Sequence, residues 1–222
     1  MQKIRSFVRR SGRLTRGQEY ALKNLFPLYG IEPQGLLNFA DIFQRQAPCF
    51  LEIGFGMGDS LIEMAQQHPE NDYIGIDVHL AGIGRLLHRI ADLELKNLRV
   101  INGDAVELLK NHLENESLYG VYLFFPDPWH KKKHHKRRIV QTDFVNLLAS
   151  KLKPAALFHM ATDWQAYAEH MQTIMLEQSH FINSAGKGQY SIDTGRPETK
   201  FERRGRRLGH GVWDLIYLRQ SV

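Results

Sequence analysis

Five short apolar runs recur between residues 49 and 161, and each is followed within three residues by a glycine or an aspartate. They are Cys49–Ile53, Tyr73–Ile76, Leu98–Ile101, Val121–Phe125 and Ala156–Ala161. Continuous runs of this length, bounded by turn residues, read as buried strands. The stretches between them have helical spacing. Apolar residues fall at 61, 62, 64 and 65 after Asp59, and residues 80–95 form an amphipathic helix. A further helix runs from Asp104 to about 112, one over 139–152 stops before Pro154, and one capped by Thr162-Asp163 runs to about Gln178. Strict strand–helix alternation predicts a parallel sheet with helices on both faces, a fold that binds ligands beyond the carboxyl ends of its strands. Gly211–Leu218 reads as a last strand, antiparallel at or near an edge. Upstream, residues 1–20 lack any period and form a basic arm. Residues 20–43 read as a loop-rich lead-in broken by Pro27, Gly30, Pro33 and Gly35, with one short helix at 38–43. The division is thus an arm and lead-in over 1–43 and the main domain over 44–222.

The first strand runs into Glu52-Ile-Gly54-Phe-Gly56-Met-Gly58. Glycines here allow positive φ and a close approach of backbone to ligand. The spacing is E-x-G-x-G-x-G, whereas a pyrophosphate cradle is G-x-G-x-x-G. An acid inside the strand suits a ligand with an ammonium group, and backbone N–H groups suit its carboxylate. S-adenosylmethionine carries both, with a ribose and an adenine. Asp77 ends the second strand, where it can take the ribose hydroxyls. Asp104, after the third, can accept from the adenine amine. A nicotinamide dehydrogenase is the rival reading, and a helix-capping role is the plain one for each strand-end aspartate.

The fourth strand leads into Pro126-Asp127-Pro128-Trp129, then His130-Lys-Lys-Lys-His-His-Lys-Arg-Arg138. The prolines fix φ on both sides of Asp127. Its carboxylate could serve as a metal ligand, a general base or an acceptor for a nucleobase edge, with Trp129 stacking on the base. Six cations among the histidines disfavour a metal, so none is expected. The net charge of +5 is unevenly spread: residues 1–16, 130–138 and 196–207 hold 18 of 29 Lys/Arg and 2 of 24 Asp/Glu. Such segregation points to a polyanionic partner. The lone Cys49 excludes an internal disulfide and fits a reducing compartment. No apolar run nears the ~20 residues of a membrane span, and the basic N-terminus lacks the apolar core of a secretory signal. A cytoplasmic protein without membrane contact is expected.

Arg5-Ser-Phe-Val8, Leu51-Glu-Ile-Gly-Phe-Gly-Met-Gly58, Phe125-Pro-Asp-Pro-Trp-His-Lys-Lys, His135-Lys-Arg-Arg138, Asp163-Trp164, Thr199-Lys-Phe-Glu202 and Val212-Trp-Asp214 together resemble the bacterial tRNA (guanine-N7-)-methyltransferases. The resemblance spans nearly the whole chain. It implies methyl transfer from S-adenosyl-L-methionine to N7 of guanine 46 in the tRNA variable loop, with S-adenosyl-L-homocysteine as product. The expected fold is α/β, a Rossmann-like class I S-adenosylmethionine-dependent methyltransferase with a mostly parallel seven-stranded sheet and helices on both faces. By position, Glu52, Gly54, Gly56, Gly58, Asp77, Asp104 and Asp127 match cofactor-binding residues, and Asp127 also the catalytic one. Lys131, Asp163, Thr199, Lys200, Phe201 and Glu202 match substrate-binding positions. Lys133, His134, His135, Lys136, Arg137 and Arg138 match the RNA-contacting run. Where this chain has Asp77, the family pattern has Glu. A tRNA-binding module without catalysis and a methyltransferase for another substrate are the competing classes.

Overall fold

The computed structural model describes residues 6–7, 12–192, 194–197, 202 and 211–221. Three helical pieces, α1 (Arg16–Tyr20), a π-helical turn (Ala21–Leu25) and α2 (Phe26–Tyr29), open the described chain. Then follow β1 (Gly30–Ile31), α3 (Phe39–Phe43), β2 (Cys49–Ile53), α4 (Asp59–Gln67), β3 (Asp72–Asp77) and α5 (Leu80–Asp92). Next come β4 (Leu98–Asn102), α6 (Ala105–Asn111), β5 (Leu118–Phe124) and a 3-10 turn (Lys132–Arg137). The chain ends with α7 (Thr142–Lys151), β6 (Leu152–Thr162), α8 (Gln165–Leu176), β7 (Phe181–Asn183) and β8 (Trp213–Arg219).

The strands form one sheet in the order β1-β4-β3-β2-β5-β6-β8-β7. All neighbours are parallel up to β6, and β8 then runs antiparallel to both β6 and β7. The order reverses between β2 and β5, so their carboxyl ends flank the crevice that such sheets offer a ligand.

Side-chain alternation divides the core into two layers. Leu51, Ile53, Ile74, Ile76 and Ile101 face α6, α7 and α8, packing with Leu108, Phe144 and Met171. On the other face Tyr73, Leu98, Val100 and Phe124 meet Leu61 and Ile62 of α4 and Ile83, Leu86 and Ile90 of α5. Glu52 shares that second face and is buried with it. Gly82 lets α5 reach the glycine-rich turn, because a Cβ there would stand 2.0 Å from the Gly56 carbonyl oxygen.

Two expectations change. The sheet has eight strands where seven were expected. β1 and β7 hold two and three residues and are too short to show a period. The end of the arm and the start of the lead-in, read as aperiodic and loop-rich, are helical over 16–29. Thr15 and Gln18 form a reciprocal capping box at α1, and Pro27 sits in the first turn of α2, where its missing N–H costs nothing. Gln18 packs against Gly84 of α5, and Ala21 is fully buried. Among the described residues no helix is long and apolar enough to cross a membrane.

Candidate active site

The carboxyl ends of β2, β3, β4 and β5 enclose a cleft of about 350 Å³. That volume lies within the ~300–1,000 Å³ of small-molecule sites. Gly54 and Gly56 line it on one side, and both need positive φ, 73° and 57°. Asp77, Val78 and His79 line it after β3, and Gly103, Asp104 and Ala105 after β4. Phe125, Pro126 and Asp127 form the wall after β5. Ser6 and Phe7 of the N-terminal arm close it from outside.

The acids expected at the strand ends hold different posts. Asp77 accepts the N–H of Gly56 at 3.0 Å on one oxygen, and those of Val78 at 2.6 Å and His79 at 2.9 Å on the other. It therefore ties the turn after β2 to the start of α5, and most of its roughly four lone-pair sites are used. Asp104 caps α6 by accepting from Val106 N–H at 2.9 Å, while its residue still lines the cleft. The helix cap is thus also part of the cleft wall. Glu52 lies behind the turn, 2% exposed, and takes no part in the cleft wall. Ser60 of α4 donates to its two oxygens at 3.0 and 3.3 Å. Burial pushes its carboxyl up to about 7, opposed by the Ser60 hydroxyl and reinforced by the charge of Asp77.

Asp127 is the opposite case. It is exposed, lines the cleft, and accepts no hydrogen bond from a described residue. It caps no helix: the 3-10 turn after it starts at Lys132, and its N-cap Lys131 makes no side-chain cap. The flanking Phe125 and Trp129 both sit at positive φ, 51° and 47°, so the backbone is strained on each side of it. Asp163 stands nearby in the fold, at the end of β6, since Phe125 N–H donates to the Ala161 carbonyl at 2.8 Å. Asp163 is half-buried and likewise accepts no hydrogen bond from a described residue.

Trp129 does not present a free stacking face as expected. Its indole N–H donates to the Ser6 carbonyl at 3.1 Å, and the Arg137 guanidinium lies 3.8 Å from its ring centroid. Arg137 also donates to the Phe7 carbonyl at 3.2 Å. Trp129 and Arg137 thus hold the arm over the cleft. The exposed aromatic on this rim is Trp164, next to Asp163, with His130 edge-on to it at 4.2 Å. A tryptophan following an aspartate at a strand end was the available signal.

The basic run divides in two. Lys131, Lys133 and Lys136 are exposed, and His134 and His135 are half-exposed. Desolvation and then the neighbouring Lys133, Arg137, Lys131 and Lys136 lower the His134 pKa. Arg138, expected to contact RNA, is instead 3% exposed. A guanidinium has enough donors to be satisfied inside the protein, which a count of charges does not show. Glu202, expected to touch substrate, is also 3% exposed and accepts from Arg196 at 2.5 Å. Arg196 in turn grips Asp214 at 2.6 and 2.9 Å, and His159 completes the buried cluster at 2.8 Å from Asp214. Thr199, Lys200 and Phe201 lie outside the described residues. Among the described residues no cluster of His, Cys, Asp and Glu is arranged to hold a metal ion.

A family model described as a putative methyltransferase matches residues 46–215. Curated relatives cover almost the entire chain. A tRNA (guanine-N(7)-)-methyltransferase of Hydrogenovibrio crunogenus is 52% identical over 98% of this chain and 92% of its own length. That of Alcanivorax borkumensis is 54% identical over 100% and 93%. Among solved structures, the 16S rRNA methyltransferase KamB superposes with a TM-score of 0.62 at 16% identity, covering 87% of this chain and 98% of its own. The aminoglycoside resistance methyltransferase NpmB1 gives 0.57 at 14% identity, covering 84% and 95%. These likenesses show the Rossmann-like class I methyltransferase fold, here extended by an antiparallel edge.

Proposed function

We propose, of a chain that belongs to the tRNA (guanine-N(7)-)-methyltransferase family, that it transfers a methyl group from S-adenosyl-L-methionine to N7 of guanine 46 in the tRNA variable loop. The reaction is cytoplasmic and leaves S-adenosyl-L-homocysteine. One observation carries the reading: Asp127, a carboxylate that accepts no hydrogen bond from a described residue, stands between a small-molecule cleft and a run of exposed cations.

The cleft fits the cofactor in kind. The amino-acid end is assigned to the turn at Gly54, Gly56 and Gly58, with Glu52 and Ser60 behind it. Asp77 has lone-pair capacity left for the ribose, and Asp104 has a second oxygen free of its capping bond for the adenine amine. Bound there, S-adenosylmethionine supplies an electrophilic methyl group on a sulfonium.

Guanine N7 has an in-plane lone pair and no proton, so the chain need not supply a strong base. Its task is to orient the base and to answer the positive charge that grows on the imidazole ring. Asp127 is assigned both roles, as an acceptor for the guanine edge and as a fixed counter-charge. Asp163 is assigned as a second acceptor. Lys131, Lys133, His134, His135, Lys136 and Arg137 are assigned to the RNA backbone, and Thr199, Lys200 and Phe201 to the substrate side of the site. Glu202 supports that side from within, through Arg196. Residues 1–43 serve as arm and lead-in to the catalytic domain of 44–222.

The test is incubation with methyl-labelled S-adenosylmethionine and unmodified tRNA, followed by chain scission at N7-methylguanine. Label at guanine 46 is expected. Label at another guanine overturns the position, and no label in tRNA overturns the activity.

A further inference from the structure

Nothing in the described chain grips the Asp127 carboxylate directly. Its position is therefore inherited from the backbone on either side, and that backbone is strained at Phe125 and Trp129. Positive φ at two aromatic residues persists only where the surroundings impose it. Two buried guanidinium groups lie against this turn.

Arg138 lies beneath the C-terminal side of the turn. Its Nε donates to the Pro128 carbonyl at 2.9 Å, and Nη1 to the Ala166 carbonyl at 3.4 Å. Nη2 faces His135 Nε2 at 3.2 Å, and the guanidinium stacks 4.7 Å from the centroid of the fully buried Tyr167 ring. All three nitrogens are thus engaged inside the protein. The N-terminal side of the turn rests on Arg196, whose guanidinium lies 5.5 Å from the Phe125 ring and 5.6 Å from Phe124. Asp214 and Glu202 hold that group in turn.

We infer that Arg138 is a positioning residue for methyl transfer: it aims Asp127 by holding the Pro128 carbonyl against Tyr167 and α8, and it binds no RNA phosphate. The inference rests on the catalytic reading of Asp127. It separates Arg138 from the exposed cations of the same run. Lys133 and Lys136 meet the polyanion, while Arg138 shapes the turn that meets the base. An arginine suits this place because a planar fork can donate in three directions while stacking on a ring, and a lysine cannot.

The experiment compares Arg138→Met and Arg138→Lys with Lys136→Ala and the wild-type enzyme. Steady-state kcat and KM for unmodified tRNA are measured together with tRNA affinity across a salt series and the stoichiometry of tRNA binding. For Arg138→Met, kcat should fall about 10- to 100-fold, the scale of a misplaced catalytic group. Its KM for tRNA and its salt slope should match wild type. Arg138→Lys, which keeps one donor for Pro128, should fall between the two. Lys136→Ala should raise KM for tRNA and lose about one unit of salt slope, as a lost phosphate contact does. Full tRNA-binding stoichiometry shows that each variant is folded. If Arg138→Met is not, Arg138→Lys decides: a kcat equal to wild type overturns the inference. So does weakened tRNA binding by either variant with a slope reduced by about one. Absence of transfer by wild-type enzyme would sink the activity reading alone, because the salt slopes still report whether Arg138 contacts phosphate.

Discussion

Replacing Glu52 by Gln should make the ligand-free protein more stable at pH 8 than wild type, by an amount that vanishes in acid. Glu52 is 2% exposed, its only described donor is the Ser60 hydroxyl, and its carboxyl is raised from 4.5 to about 7. A carboxyl with a raised pKa favours folding in its protonated form. That contribution is fully present below the unfolded value near 4.5 and is lost as the pH climbs through 7. At about 1.4 kcal/mol per unit, a rise of roughly 2.5 units corresponds to about 3 kcal/mol. Between pH 5 and pH 8 the part that appears is about 2.5 kcal/mol. Glutamine cannot ionise, and any cost of its buried amide is the same at every pH. The assay is urea unfolding of both proteins at pH 5, 6, 7 and 8. The difference in unfolding free energy should grow toward alkaline pH by about 2.5 kcal/mol in favour of the variant. A difference constant to within about 0.5 kcal/mol would refute the reasoning, because every other titrating group is common to both proteins.

Asp127→Asn keeps the shape and removes the counter-charge, so kcat should fall on the order of 100-fold, as when a transition-state stabilising group is lost. Single-turnover transfer rates and tRNA binding by filter retention separate this from lost affinity, which should stay near wild type. Gly82→Ala drives a methyl group toward the Gly56 carbonyl oxygen, 2.0 Å away. Calorimetry should show at least about tenfold weaker S-adenosylmethionine binding, and thermal unfolding a loss of about 1–3 kcal/mol. Trp129→Phe keeps a ring under Arg137 but deletes the N–H bond to Ser6, worth about 1 kcal/mol. Stopped-flow release of the cofactor product should quicken about fivefold if that bond holds the arm across the cleft, and an unchanged rate would exclude such a role.

The sheet and the cleft were legible because parallel strands buried on both faces read as unbroken apolar runs, and because a chain that turns at a strand end shows Gly or Asp there. Cys49–Ile53 and Asp72–Asp77 needed nothing else. What escaped lacked a period or depended on burial. β1 and β7 are too short to alternate, and the π-helical turn at Ala21–Leu25 is held by α5 rather than by its own pattern. Arg138 and Arg196 sit in segments whose charge density suggests water, yet their side chains are 3% exposed. No count of charges distinguishes a guanidinium that meets phosphate from one that meets carbonyls and rings. The change from lysine to arginine at 137–138 was the available hint. Both arginines stack on aromatic rings, which an ammonium does less well.

The acids around the cleft differ in how much of their accepting capacity the protein has already used. Asp77 holds three backbone N–H groups and Asp104 one, while Asp127 and Asp163 hold none from described residues. The division follows position: the acids after β3 and β4 fix the turns that shape the cleft, and those after β5 and β6 remain open among the described residues. An acid that must orient a base loses that function if a nearby N–H satisfies it, so its aim has to come from elsewhere. In the proposed reaction, exposure keeps the charge of Asp127 hydrated until a base arrives, and the strained backbone spares the turn a reorganisation at that moment. The Asp77 side chain is within reach of the Gly56, Val78 and His79 N–H groups together. Most of the accepting capacity of Asp77 is thereby given to the stiffness of the turn beneath the cleft.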